Sequence, residues 1–163
     1  MIISLKNKDT LNFDEFKFKC CIGKNKLNKK KIEGDNITPT GTFKLGPLYY
    51  RPDRIKKPLT NINCFKITKN AGWCNEPLSK FYNKKISLNN KIGHEKLWRK
   101  DNKYDLILLI HYNVKNTVPG KGSAIFLHLT KNFKPTAGCI AILKKDFLIL
   151  IKLIDKKTKI KIS

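Results

Sequence analysis

The chain has 163 residues, which fits a single domain with a sizeable hydrophobic core. Hydrophobic residues make up 40% of it and aromatic residues 10%, a composition that excludes a disordered protein. No apolar stretch approaches the roughly 20 residues of a membrane-spanning helix, and the first residues lack the basic start and long apolar run of a signal peptide.

The formal net charge is +23, and only three of the 35 basic residues are arginines (Arg51, Arg54 and Arg99). Such a charge attracts polyanions such as nucleic acid, anionic lipid or an acidic wall polymer. AT-rich coding also enriches lysine, asparagine and isoleucine, and arginine rather than lysine usually contacts base edges. We therefore favour a compositional origin for the charge and expect no dedicated nucleic-acid partner. A basic polyanion-binding module stays open as an alternative.

Five cysteines occur at positions 20, 21, 64, 74 and 139, an odd number that contains no Cys-x-x-Cys pair. This spacing suits neither a zinc site nor a small disulfide scaffold, although a bridge between Cys64 and Cys74 stays open. His94-Glu95 resembles the start of a zinc-protease motif, but Trp98 stands where the second histidine would be. We therefore predict no metal and no cofactor.

The N-terminal half predicts short strands separated by turns. Residues 16–22 alternate apolar and charged side chains, the period of two that is typical of a half-buried strand. The other elements predicted here are a strand at 1–5, a turn at 23–28, a loop at 32–43, short strands at 43–45 and 49–50, and an irregular segment at 52–77 with a candidate strand at 62–67.

The C-terminal half predicts more strands and one helix. The helix is expected at 146–155, with Asp146 as its N-cap. The other predicted elements are a helical turn at 95–98, a strand at 104–113 that is buried on both faces, a strand at 122–129, and an edge strand at 157–162 whose lysines protect the edge. The sequence therefore predicts a mainly β sandwich or barrel with one C-terminal helix.

Cys139 is the strongest candidate for a catalytic group. It follows Gly138 at the start of an apolar run, and His128 ends the strand predicted just before it. A free thiol is only partly ionised at neutral pH, so a nucleophilic cysteine needs a nearby base, for which His128 is the first candidate and His111 the second. Gly138 allows a tight turn that directs backbone amides at an oxyanion.

The order of motifs along the chain resembles the catalytic domain of the L,D-transpeptidase family (YkuD-type). The matching residues are 20–23, 31–35, 38–43, 50–54, 72–74, 82–83, Glu95, Leu97, Trp98, 104–105, 112–113, Pro119-Gly120-Lys121-Gly122-Ser123-Ala124-Ile125-Phe126-Leu127-His128 and Thr136-Ala137-Gly138-Cys139. The resemblance covers most of the chain and implies one L,D-transpeptidase catalytic domain over 1–163, with a family-like β-sandwich or barrel.

The resemblance also implies a bacterial enzyme that forms cell-wall cross-links. Cys139 would attack a peptidoglycan stem peptide with His128 as general base, and amides around Gly138 would form the oxyanion hole. Tyr112 and Asn113 would line the substrate cleft, and Thr40 would help to shape it. The stem peptides would be both donor and acceptor, the protein is expected to be a monomer, and its place would be the periplasm or cell envelope. Because no signal peptide is visible, the cytoplasm stays open.

Two residues depart from the family pattern. Ala137 stands where a second histidine or a lysine is common, and Ala141 stands where an arginine is usual. The nucleophile and base are kept, so thioester chemistry is still expected, but the means of holding the donor carboxylate is not. An L,D-carboxypeptidase, in which water resolves the same thioester, is therefore an alternative to the transpeptidase.

Overall fold

The computed structural model of the chain describes residues 1–29, 32–88 and 92–163. In that part the strands are β1 (Ile2–Leu5), β2 (Thr10–Phe13), β3 (Phe16–Cys21), β4 (Leu27–Asn28), β5 (Thr38–Pro39), β6 (Gly41–Tyr50), β7 (Cys64–Lys66), β8 (Ala71–Cys74), β9 (Lys85–Ser87), β10 (His94–Lys96), β11 (Leu106–Ile110), β12 (Phe126–Leu129), β13 (Ile140–Ile142) and β14 (Lys159–Ile162). The one described helix, α1, spans Lys144–Leu153. The prediction of a mainly β fold with one C-terminal helix is confirmed.

The main sheet closes on itself. Its strands follow the order β11-β12-β13-β3-β2-β1-β14-β6-β7, and β11 also pairs with β6. The strands from β11 round to β6 therefore form a barrel, and β7 pairs in parallel with β6 outside the circuit. Closure satisfies backbone groups that an open sheet would leave exposed along its edges.

Alternation of side chains along the buried strands separates an inner core from an outer core. On β12, Leu127 and Leu129 belong to the inner core, whereas Phe126 belongs to the outer one. Next to it, Ile140 belongs to the inner core and Cys139 to the outer core. The two cores therefore share β12 and β13, and the outer face of these two strands carries the candidate nucleophile.

The helix begins two residues earlier than predicted. Its N-cap is Leu143, which makes no side-chain capping bond, and Asp146 lies in the first turn instead. A carboxylate in the first turn still interacts favourably with the helix dipole, which explains why Asp146 resembles a cap in the sequence. The buried residues of α1 have helical spacing and are Phe147, Leu150 and Ile151.

The prediction of an edge strand at 157–162 is wrong. Strand β14 lies inside the sheet, parallel to β1 and antiparallel to β6. Ile160 and Ile162 enter the inner core, while Lys159 and Lys161 are exposed. An alternating pattern shows that one face of a strand is buried but gives no information about its two edges.

The helical turn predicted at 95–98 is also wrong, because His94–Lys96 is strand β10. It pairs antiparallel with β8, and β8 pairs with β9, forming a small sheet in the order β10-β8-β9. The sequence pattern predicts no strand at the positions of β8 and β9, and none at the position of β2 in the main sheet. These strands have only three or four residues, too few to show a clear periodicity.

Two further boundaries differ from the predictions. The two short strands expected at 43–45 and 49–50 are one strand, Gly41–Tyr50, which continues through Gly46 and Pro47. The strand expected at 122–129 begins only at Phe126, because Ala124 has a left-handed backbone with φ of 54°. No disulfide bridge joins Cys64 and Cys74. No described helix has the length and apolar character needed to cross a membrane.

Candidate active site

Cys139 lies at the end of a hydrogen-bonded turn that leads directly into β13. The Thr136 hydroxyl accepts a hydrogen bond of 3.1 Å from the Gly138 N–H and donates one of 2.6 Å to the Cys139 carbonyl. The Thr38 hydroxyl donates a further bond of 2.8 Å to the Gly138 carbonyl. These bonds fix the backbone on both sides of the cysteine.

Gly138 meets both a conformational and a steric requirement. Its φ is +136°, a region that side-chain-bearing L residues rarely adopt. A Cβ at this position would lie only 2.9 Å from the Ile37 carbonyl oxygen. The turn therefore accepts glycine alone, which is the backbone role that the sequence predicts for Gly138.

The Cys139 sulfur is held against the start of β12. Its Sγ donates a hydrogen bond of 3.2 Å to the Ala124 carbonyl and accepts one of 3.4 Å from the Phe126 N–H. Cys139 is only 7% exposed. The Phe126 N–H can donate to the sulfur in either protonation state, whereas the Ala124 carbonyl can accept only from the protonated thiol.

His128 lies on the same outer face as Cys139. Strands β12 and β13 are parallel with His128 opposite Ala141, two residues after the cysteine. The Nδ1 atom lies 2.9 Å from the Leu129 carbonyl oxygen. A carbonyl can only accept a hydrogen bond, so Nδ1 carries the proton and Nε2 is the basic nitrogen.

Burial decides the charge state of His128. The residue is 5% exposed, and loss of solvent lowers the pKa of its imidazole to about 4. Smaller electrostatic effects of the nearby Lys103 and Arg99 contribute to this lowering of the pKa, and the hydrogen bond to the Leu129 carbonyl opposes it. His128 is therefore neutral at pH 7 and able to accept a proton.

Cys139 and His128 both line one cleft of about 710 Å³. Gly138 immediately precedes Cys139 in the turn, so the structure brings together the three residues predicted to be catalytic. Other residues that line this cleft are Glu95, Arg99, Lys103, Tyr104, Ala137 and Ala141. In the part of the chain that the structure describes, no group of His, Cys, Asp or Glu side chains is arranged to hold a metal ion.

Tyr112, Asn113 and Thr40 lie outside the set of described residues that line this cleft. The Tyr112 hydroxyl donates to the Lys121 carbonyl at 2.8 Å, and the Asn113 amide donates to the Gly122 carbonyl at 2.9 Å. Thr40 follows β5, and its N–H donates to the Asn28 carbonyl. Tyr112 and Asn113 brace the loop that leads to Ala124, and a role in substrate binding stays a prediction for all three.

Asn83 is a buried residue to which the sequence analysis assigned no role. Its Oδ1 accepts hydrogen bonds from Trp73 Nε1 at 2.9 Å and from the Ala124 N–H at 3.1 Å. Its Nδ2 donates to the Asn113 carbonyl at 2.7 Å. Because the Ala124 carbonyl accepts the Cys139 thiol proton, Asn83 supports the peptide against which the sulfur rests. Residues 82–83 are among those that match the family pattern in order along the chain, and this match is the sequence signal that could have identified Asn83.

Two more residues beside Cys139 and His128 were not predicted from the sequence. The Tyr104 hydroxyl donates a hydrogen bond to Glu95, and the Tyr104 ring packs edge-on against the His128 imidazole, with centroids 5.3 Å apart. Burial raises the pKa of Tyr104 well above its ordinary value and also raises the pKa of Glu95. Both residues belong to the motif set, but the predicted helical turn at 95–98 gave no reason to place Glu95 in the cleft.

The cleft has cationic side chains, but none comes from the cysteine turn or β13. Arg99 is engaged with Asp101 through bonds of 2.9 and 2.6 Å. Lys103 is exposed and has no ion pair among the described residues, and its carbonyl accepts the Leu129 N–H at 3.0 Å. Lys103 is thus held next to His128 with its ammonium group available.

Comparison with known proteins identifies a family. The L,D-transpeptidase catalytic domain matches residues 2–162. Among solved structures, the fold is similar to that of the helical cell shape determining protein Pgp2 from Campylobacter jejuni, with a TM-score of 0.52 and 19% sequence identity. That similarity covers 99% of this chain and 46% of Pgp2, so the chain spans about half the length of the relative. No curated protein matches the sequence.

Proposed function

Because the chain belongs to the family of L,D-transpeptidase catalytic domains, we propose that it is a cysteine acyltransferase that acts on peptidoglycan stem peptides. The observation that carries the proposal is that Cys139, the residue just before β13, and neutral His128, on β12, line the same cleft. We propose that residues 1–163 form one catalytic domain. Its site of action would be the cell wall, in the periplasm or envelope.

The first step is the transfer of the Cys139 thiol proton to His128 Nε2. The thiolate attacks the carbonyl carbon between the third stem residue and the terminal D-Ala, and the carbonyl oxygen becomes an oxyanion near the Gly138 and Cys139 amides. As the oxyanion collapses, the C–N bond breaks and the imidazolium returns its proton to the leaving amine of D-Ala. The product is a thioester on Cys139 and a free D-Ala.

The second step resolves the thioester. An amine on a second stem peptide attacks the thioester carbonyl, His128 takes a proton from that amine, and the thiol is regenerated as the new amide forms. Preorganised backbone donors make both steps easier because they need no rearrangement when charge develops. This sequence gives a cross-linked peptide dimer.

Product analysis tests the proposal. The protein is incubated with a stem tetrapeptide, alone and with an amine acceptor, and the products are separated and weighed. A cross-linked dimer that the Cys139→Ala variant fails to make supports transfer. A tripeptide plus free D-Ala instead shows hydrolysis at the same site, and an unchanged tetrapeptide contradicts the proposed function. His128→Ala should retain the fold and lose roughly 10²–10⁴-fold in rate, the usual contribution of a general base.

A further inference from the structure

The half-buried carboxylate of Glu95 and the buried phenol of Tyr104 form a pair beside the residues proposed to react. The Tyr104 hydroxyl donates a hydrogen bond to Glu95 Oε1, and both side chains line the cleft that holds Cys139 and His128. Neither side chain takes part in the proposed thioester chemistry. Removing part of a carboxylate from water is costly unless a partner compensates it, so this pair requires a physical reason.

The Tyr104 ring contacts both halves of the site. Its centroid lies 5.3 Å from that of the His128 imidazole, at an interplanar angle of 68°. It also packs edge-on against Phe126, at 6.0 Å and 84°. The Phe126 N–H is the group that donates to Cys139 Sγ at 3.4 Å. One aromatic ring therefore lies against the candidate base and against the residue that holds the sulfur.

The anchor of this ring comes from a different sheet. Glu95 lies on β10 of the small sheet, opposite Trp73 on β8. Trp73 itself packs edge-on against Phe126 at 5.1 Å. Cys139 and His128 belong to the barrel, so the Glu95–Tyr104 hydrogen bond joins the small sheet to the barrel at the reacting pair.

We propose that Tyr104 is a positioning residue, anchored through its hydroxyl by Glu95, that holds the His128 imidazole so that Nε2 receives the Cys139 proton. The bond from Nδ1 to the Leu129 carbonyl fixes one edge of the imidazole. A second contact is needed to fix the tilt of the imidazole, and the T-shaped contact with Tyr104 supplies it. The inference rests on the proposed function in one respect only, namely that Cys139 and His128 are the two residues that react.

The test measures the rate at which iodoacetamide alkylates Cys139. Peptide mass mapping distinguishes this reaction from alkylation of Cys64, which is partly exposed. Tyr104→Phe keeps the ring and removes the anchor. We expect alkylation at pH 7 to slow about tenfold or more, within the roughly 10²-fold that a misplacement of 1 Å can cost. Tyr49→Phe, at another buried tyrosine of the outer core, is the matched control and should alkylate at the wild-type rate.

A double-mutant cycle separates positioning from a general loss of structure. If Tyr104 acts through His128, Tyr104→Phe causes no further slowing in a His128→Ala background. Glu95→Gln keeps an oxygen that accepts the Tyr104 hydroxyl and should retain most of the rate, whereas Glu95→Ala should match Tyr104→Phe. Each variant is also checked by its thermal unfolding midpoint, so that a folding defect is recognised.

Three results overturn the inference: an unchanged alkylation rate in Tyr104→Phe, equal slowing with and without His128, or no effect of His128→Ala itself. Alkylation needs no stem peptide, so the outcome is distinct from that of the proposed function. A protein whose Cys139 alkylates as expected but leaves stem peptides unchanged refutes the proposed function and keeps the role of Tyr104.

Discussion

The Thr38 hydroxyl donates a hydrogen bond of 2.8 Å to the Gly138 carbonyl, although 100 residues separate the two in the sequence. The same hydroxyl accepts a bond of 2.8 Å from the Gly23 N–H, and Thr38 is fully buried. A single side chain therefore joins the N-terminal half of the chain to the turn that presents Cys139. The geometry of the nucleophile depends on this long-range contact as well as on its own turn.

Thr38→Val should weaken both the fold and the site. Valine keeps the shape of threonine but leaves the Gly23 N–H and the Gly138 carbonyl without their partner, which costs about 1–3 kcal/mol for each buried group. Urea unfolding measures the loss, and Cys139 alkylation measures the effect on the turn. Thr42→Val, on an exposed position of β6, is the control and should change neither. Equal stability of the two variants would contradict the account.

Gly138→Ala should be far more damaging than a similar change at another glycine. The added Cβ would approach the Ile37 carbonyl oxygen, and the backbone at φ +136° disfavours alanine as well. Gly120 also has a positive φ, of 74°, but open space around it, so Gly120→Ala should cost only the roughly 1–2 kcal/mol of backbone strain. We expect Gly138→Ala to lose more stability than this and to lose stem-peptide turnover. Similar thermal midpoints for the two variants would show that the turn can relax.

His128 should make stability depend on pH in a defined window. Burial lowers the pKa of its imidazole to about 4, whereas the unfolded chain titrates near 6.5. The unfolded state therefore binds the proton first, so the contribution is intact above about pH 6.5 and is lost as the pH falls toward 4. The loss amounts to about 3 kcal/mol.

Urea unfolding at pH 7 and pH 4.5 checks this expectation against a His128→Gln variant. The variant lacks the titrating group, so its free energy of unfolding should fall less between the two pH values than that of the wild type. The comparison cancels the contributions of the carboxylates, which both proteins share. A parallel fall in the two proteins would show that His128 is not buried in neutral form.

Lys103 is expected to bind the terminal carboxylate of the donor peptide. It lies next to His128 and, unlike Arg99, which is engaged with Asp101, has no ion pair among the described residues; Lys96 and Lys134 also line the cleft. Lys103→Ala should lower kcat/KM about tenfold or more for a tetrapeptide with a free carboxylate, because a hydrogen bond to a charged group contributes about 1.5–3 kcal/mol. For the C-terminal amide of the same peptide the variant and wild type should be alike.

Lys131→Ala serves as the control, since this exposed lysine is not among the described residues that line the cleft. It should process both peptides at wild-type rates. If Lys103→Ala affects the acid and the amide equally, the lysine acts on the protein structure or on His128 rather than on the carboxylate.

The sequence predicts the fold class because its period-two patterns and its long apolar run are local signals. It does not predict that β14 lies between β1 and β6, because strand order is decided by pairings distant in the sequence. The same limit applies to β8 and β10. Each has only three or four residues, and β10 contains His94 and Glu95, residue types that carry no strand pattern.

The site residues also divide into those that the local sequence indicates and those that it does not. Cys139, Gly138 and His128 stand close together in the sequence, so local reasoning can connect them. In the structure His128 lies on β12, and Gly138 and Cys139 lie in the turn that leads into its parallel neighbour β13. Asn83, Glu95 and Tyr104 reach the site from other elements, and nothing local indicates their contacts. Tyr112 and Asn113 precede the loop that they brace, so their position alone could not distinguish that role from lining the cleft.

The central claim is that Cys139 becomes acylated, and the most direct test is the intact mass of the purified protein after incubation with a carbapenem. A carbapenem is a β-lactam that resembles the substrates from which the family forms its acyl-enzyme. The account predicts a stable adduct with the mass of one drug molecule on the wild type and none on Cys139→Ala. Peptide mapping should place that adduct on Cys139. A folded wild type with a free Cys139 thiol and no adduct, or an equal adduct on Cys139→Ala, would contradict an acyl-transferring role for this cysteine.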